Sequence, residues 1–254
     1  MTFLPGAAST SVRDLLSGPP RAGRVVGVHP SCAYVLTGPQ LVALESADGL
    51  GLPCAVRLGA DRAAAPFGDV RRGDPALVGD GTLTAGPLSA RVARWWSPPR
   101  VRAGHSPARL GLLAGLLEGL PAPVAADLPA ADLLGRGPGL TPAGDDVLAG
   151  WLLAVHHHEA LRDPLVAVFD DLAARTTSLS AALLREAAEG RGLPAAVAVA
   201  DSVAGHGAEG DLRVAVAALL AVGHSSGLAL AYGILRGARA VAGMVGSPER
   251  MVVA

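Results

Sequence analysis

Trp95-Trp96-Ser97-Pro98-Pro99-Arg100-Val101-Arg102-Ala103-Gly104-His105-Ser106-Pro107-Ala108-Arg109-Leu110 is where the chain changes its grammar. Upstream, from about Arg24 to Trp96, apolar runs are short and turn residues separate them. Arg24–Val28, Cys32–Thr37, Leu41–Glu45, Cys54–Leu58, Ala76–Val78, Leu83–Thr84 and Leu88–Trp96 each read as a strand. Gly79-Asp80-Gly81 reads as a tight hairpin turn. Strands repeating at roughly 8–12 residues point to a small barrel or sandwich. Downstream the pattern becomes helical. Ser106-Pro107, Thr141-Pro142, Asp163-Pro164 and Ser247-Pro248 each place an oxygen-bearing cap before a proline at a helix start. Gly119, Gly135, Gly190, Gly205 and Gly223 follow apolar runs as stops. Helices are expected at about 107–119, 129–134, 142–159, 164–175, 179–189, 194–204, 211–222 and 226–243. The expected fold is α+β: a small β-barrel or sandwich-like domain over residues 1–100, then a mostly α-helical bundle domain over residues 105–254.

Composition narrows what such a chain can do. Half of its 254 residues are hydrophobic and 17% are charged, so it can bury a core and is not disordered. A formal net charge of -1 gives no electrostatic footprint for nucleic acid or an anionic membrane. All 21 basic residues are arginine. That excludes Schiff-base chemistry, a lysine general base and a P-loop lysine. Cys32 and Cys54 are read as two buried thiols in a reducing compartment. The apolar stretch Val214–Leu235 is interrupted by Gly223-His224-Ser225-Ser226-Gly227, so it reads as two buried helices joined by a polar turn rather than a membrane span. A basic stretch followed by a continuous apolar run is missing from Met1–Ser11, and the expectation is a cytoplasmic protein.

Three polar constellations carry candidate chemistry. The first is Gly135-Arg136-Gly137-Pro138-Gly139-Leu140-Thr141-Pro142-Ala143-Gly144-Asp145-Asp146. Alternate glycines let backbone N–H groups approach a ligand, and the segment runs into a helix start, where the dipole favours an anion. Arg136 adds a bidentate donor for phosphate or carboxylate, with Gly137, Gly139 and Thr141 as binding positions beside it. Asp145 and Asp146 point about 100° apart on the helix, so they serve different surroundings. Either could be a general base, and the pair could hold a divalent cation such as Mg²⁺. Acidic residues near a helix start also simply complement the dipole. The second constellation is Gly223-His224-Ser225-Ser226-Gly227, where His224 is a candidate proton carrier and Ser225 and Ser226 are candidate anion donors. The third is Arg175-Thr176-Thr177-Ser178-Leu179-Ser180, in which Arg175, Thr177 and Ser180 are candidate anion contacts. His156-His157-His158-Glu159 reads as cations at a helix C-terminus rather than metal ligands. Gly144 and Gly150 are spaced like Gly227 and Gly233, a faint internal repeat.

Gly137-Pro-Gly-Leu-Thr-Pro-Ala-Gly-Asp-Asp-Val-Leu-Ala-Gly150 resembles the signature of the AllH-like family. Thr176-Thr177…Ser180 with Leu183-Leu184, and Gly223–Gly227, resemble its second and third blocks. At Ala143 the sequence departs from the expected serine, which removes a hydroxyl beside the candidate site. The resemblance implies a transferase subunit of oxamate carbamoyltransferase, in allantoin catabolism, interconverting oxalurate plus phosphate with oxamate plus carbamoyl phosphate. It further implies a hetero-complex with other carbamoyltransferase subunits. The residues agree in kind, because oxamate, oxalurate and carbamoyl phosphate are small anions suited to glycine-flanked helix starts. Two other classes stay open at this point: a metal-dependent hydrolase using the Asp pair, and a non-catalytic scaffold. Apolar small-residue helices also lead us to expect an oligomer.

Overall fold

The computed structural model describes residues 2–123 and 128–245. Ser247-Pro248 lies outside the described residues. The chain divides into two compact units, Met1–Pro99 and Arg100–Ala254, at a point inside the Pro/Gly segment quoted above.

In the first unit eight strands close into a barrel: β1 (Thr2–Ser9), β2 (Arg21–His29), β3 (Cys32–Thr37), β4 (Gln40–Glu45), β5 (Ala55–Leu58), β6 (Pro75–Gly79), β7 (Thr82–Ala85) and β8 (Leu88–Trp96). A short helix, α1 (Arg13–Ser17), joins β1 to β2. The order around the barrel is β1-β5-β4-β3-β2-β6-β7-β8. Six of the eight neighbouring pairs are antiparallel, four of them hairpins, and β4–β5 is parallel. The β6–β7 turn holds Asp80 at φ +48° and Gly81 at φ +69°, the two left-handed residues that a type I′ connection requires. Closure depends on β1, which pairs antiparallel with β5 and parallel with β8. On β6 and β7 the alternation turns Ala76, Val78, Leu83 and Ala85 inward.

One charged group is fully enclosed in this unit. Glu45, at the end of β4, is 1% exposed. Its carboxylate accepts from the N–H groups of Gly51 and Leu52, each at 3.1 Å, and so fixes the loop that carries the chain to β5. Burial pushes the Glu45 carboxyl up to about 7, against the lowering effect of those N–H groups and of Arg57. Both cysteines are buried thiols.

The second unit is helical: α2 (Pro107–Leu117), α3 (Ala130–Leu133), α4 (Ala143–Val155), α5 (Glu159–Val166), α6 (Leu172–Arg175), α7 (Ser178–Ala188), α8 (Pro194–Ala204), α9 (Glu209–Leu220) and α10 (Ser226–Val245). Gly119, Gly135, Gly190, Gly205 and Gly223 all stand at positive φ, as helix stops should. Some boundaries differ from the sequence reading. The helix expected to reach residue 159 ends at Val155, and α5 starts separately at Glu159. Pro164 therefore lies inside α5 instead of opening a helix. In so short a helix it removes a single backbone bond. The stretch expected as one helix to residue 175 breaks at Asp171, whose φ of +60° no helix continues.

The core of this unit is the pair α4 and α10. A Cβ placed on Gly150 would collide with the Leu230 carbonyl, and one on Gly233 with the Val147 carbonyl. Farther along, a Cβ on Gly237 would stand 2.9 Å from the Trp151 carbonyl. These contacts keep a nearly constant offset along both chains, so the two helices run side by side in the same direction. They are also reciprocal: each glycine faces the residue three before the other. The spacing seen in the sequence is thus a shared packing device. By length and composition alone α10 could cross a membrane, yet half of its apolar window is buried within the unit.

Two predictions follow from this packing and from Glu45. Gly233→Ala should destabilise the chain by about 1–3 kcal/mol in chemical denaturation, because overpacking against backbone outweighs alanine's better helix propensity. Gly111→Ala, on the open face of α2 with nothing within 4 Å of its added Cβ, should instead stabilise by about 0.4–1 kcal/mol. Glu45 binds its proton more tightly folded than unfolded. Its stabilisation is full below the ordinary glutamate range and is lost as pH rises through about 7. Thermal unfolding across that window should show wild type losing more stability than Glu45→Gln.

Candidate functional site

The glycine loop before α4 alternates handedness, with φ of +74° at Gly135, +116° at Gly137 and +99° at Gly139. At Gly135 an added Cβ would collide with the Arg175 carbonyl, so the loop is pressed against the segment that leads into α7. The loop and the two following helices are then tied by hydroxyls. Thr177 caps α7, accepting from the Ser180 N–H at 3.1 Å, while its own hydroxyl donates to the Leu140 carbonyl at 2.5 Å. The hydroxyls of Thr141 and Ser226 lie 3.0 Å apart in a hydrogen bond. The N-termini of α4, α7 and α10 therefore meet. Thr141 does not cap α4, as the sequence reading had it; Pro142 occupies the cap position without a side-chain bond, and the Thr141 hydroxyl is turned toward α10.

Asp145 and Asp146 both sit at this junction, 2% and 5% exposed. Their surroundings differ. Asp145 accepts from the Gly135 N–H at 2.6 Å through Oδ1 and from the Thr176 hydroxyl through Oδ2. Both oxygens are spent on holding the loop and the start of α7 to α4. Asp146 is hydrogen-bonded by the Ser226 and Thr141 hydroxyls, yet its Oδ2 is enclosed and has no partner among the described residues. Burial pushes the Asp146 carboxyl up to about 7. Those hydroxyls oppose the rise and the negative Asp145 adds to it. The Ser180 hydroxyl, 2% exposed in the first turn of α7, likewise has no partner among the described residues.

Residues 133–238 match the family model of oxamate carbamoyltransferase subunit AllH. The match runs from the end of α3 into α10. It contains all three helix N-termini of the junction and leaves the barrel outside. No solved structure matches the chain.

Not every residue singled out in the sequence reaches the junction's interior. Arg136, Gly137 and Gly139 are exposed on the loop, and the Arg136 Nε donates back to the Asp132 carbonyl at 3.2 Å. Arg175 donates to the carbonyls of Ala131 at 2.7 Å and Val168 at 3.4 Å, so its guanidinium straps α6 to neighbouring backbone. His224 and Ser225 are exposed in the turn before α10. The segment before α7 contributes a residue outside the candidate set, Thr176, whose hydroxyl is Asp145's partner. The histidine run at the end of α4 acts as a strut. His156 is buried, donates from Nδ1 to the Ala188 carbonyl at 3.0 Å and accepts from Arg100 at 3.2 Å. Burial pushes its pKa down, so it is a neutral ring rather than the cation expected there. Among the described residues no group of three or more His, Cys, Asp and Glu side chains is gathered as a metal set. With Asp145 engaged, Asp146 is the carboxylate with an open oxygen.

Asp145→Ala should leave two half-buried donors without their acceptor, at a cost of about 1 kcal/mol each in chemical denaturation. Asp145→Asn should cost less, because the amide oxygen still accepts from Gly135.

Proposed function

We propose that this chain is a subunit of an oxamate carbamoyltransferase, and that the junction of α4, α7 and α10 holds a small anion of that reaction. The family match supports the enzyme, and the meeting of three helix N-termini beside a glycine loop supports the anion. Each helix N-terminus contributes about half a positive charge. Arg136, exposed on the loop, supplies a fork that fits phosphate or carboxylate. Carbamoyl phosphate, oxamate and oxalurate share that chemistry.

In the phosphorolytic direction a phosphate oxygen bonds to the carbamoyl carbon of oxalurate. The carbon–nitrogen bond to oxamate breaks, and the departing nitrogen takes a proton. Holding two anions in that geometry needs fixed donors, which converts a bimolecular encounter into an oriented one. N–H groups at the helix ends are suited to the oxyanion that develops on the carbamoyl carbon. The remaining parts of the reaction belong to companion subunits, so the active form is a hetero-complex.

Thermal unfolding of the purified chain with phosphate, carbamoyl phosphate, oxamate or oxalurate tests this reading. A ligand at ~100 times its dissociation constant should stabilise by about 2.7 kcal/mol, at about 2–4 °C per kcal/mol for a chain of this size. Arg136→Ala should keep the fold and weaken carbamoyl phosphate about tenfold or more. Stabilisation by none of these anions would sink the reading.

A further inference from the structure

We propose that Asp146 is the proton-exchanging residue of this junction: an anion enters there together with a proton, which Asp146 holds while the anion is bound. The inference rests on the junction being an anion site. Its own warrant is the unequal treatment of two neighbouring carboxylates. Both Asp145 oxygens already accept bonds, from the Gly135 N–H and the Thr176 hydroxyl, and those bonds hold the loop. Asp146 is 5% exposed, keeps one oxygen against the Ser226 and Thr141 hydroxyls, and leaves Oδ2 enclosed and without a partner among the described residues. An ionised oxygen in that position has lost water and gained nothing. A neutral carboxyl carries its proton there and has a bond to donate.

Charge balance points the same way. The helix ends already face two carboxyl groups, so an arriving anion would be the third negative charge in one water-poor space. Of the nearby cations, Arg136 meets the anion from the exposed loop, and the others are engaged elsewhere. Arg175 bonds the Ala131 and Val168 carbonyls, and the Arg136 Nε bonds the Asp132 carbonyl. On α10, Arg236 lies 3.8 Å over the Trp151 ring and bonds the Leu128 carbonyl. His224 is exposed in the turn before α10, and α7 brings hydroxyls to the junction. Asp145 is the charged neighbour that bears on Asp146, and it is negative. Neutralising Asp146 is the change that removes the conflict. Its pKa of about 7 makes the proton available near neutral pH.

Titration calorimetry of the full chain with oxamate, in buffers of different ionisation enthalpy, reads the linked proton directly. Oxamate keeps its carboxylate ionised throughout the neutral range, so any proton taken up belongs to the protein. Wild type should take up one proton per oxamate above about pH 7 and lose about tenfold in affinity for each further pH unit. Asp146→Asn should bind oxamate with no proton uptake and a flat pH profile. Ser226→Ala, which removes a hydroxyl that favours the charged form, should move the onset of the affinity loss to higher pH. If Asp146→Asn does not fold, proton uptake by wild type and the Ser226→Ala shift still decide. Oxamate binding by wild type with no proton uptake and no pH dependence overturns the proposal and leaves the anion site standing. If wild type binds no oxamate from about pH 6 to about pH 8, the anion site falls and this proposal falls with it.

Discussion

Everything at the junction depends on how closely α4 and α10 approach. Side chains normally hold packed helix axes about 8–10 Å apart. Gly150, Gly233 and Gly237 remove that spacer, so each helix rests on the other's backbone. Because the two run in the same direction, their positive ends fall side by side rather than at opposite ends of the pair. Parallel helix dipoles repel, and the arrangement needs negative charge at the shared end. Asp145 supplies it, joined by Asp146 in its ionised form. The carboxylates are therefore part of what lets the core pack, before any ligand is considered.

The same geometry makes the two aspartates unequal. One helical step separates them, and that step is enough to send Asp145 toward the loop and α7 and Asp146 toward α10. A pair that looks redundant in sequence becomes a fixed latch and an unspent acid. Thr176 and Ser226 enforce the division from opposite sides. Loss of the first frees the start of α7 from Asp145, whereas loss of the second changes the charge preference of Asp146 and removes the bond to Thr141.

Much of this could be read from the residues because it rests on local chemistry. The glycine stops, the type I′ hairpin and the Gly-Leu-Thr-Pro entry to α4 are set by a few adjacent residues. The partition of the aspartates was legible as a direction, since the helical period requires it, but not as partners. Thr176 lies 31 residues from Asp145, and nothing in spacing announces that bond. Strand β1 escaped notice because Pro5 and Gly6 sit in its middle and argue against a strand. It forms because neighbours on both sides close the barrel over it. The histidine run misled by composition: three adjacent imidazoles suggest charge, whereas enclosure of His156 between Ala188 and Arg100 keeps it neutral.

Barrel closure has a consequence in time. Strand β1 pairs in parallel with β8 from Thr2 opposite Leu88 to Ser9 opposite Trp96, with one register shift between Gly6 and Ala7. The first strand to leave the ribosome must therefore wait for almost the whole unit to be made before its final neighbour exists. Contacts of such long sequence separation slow folding, because the loop must be closed before it is rewarded. During that interval β1 is an unpaired edge bearing Phe3, which remains 66% exposed even in the finished barrel. Pro5, which obscured the strand in the sequence, also blunts that edge against pairing with the wrong chain.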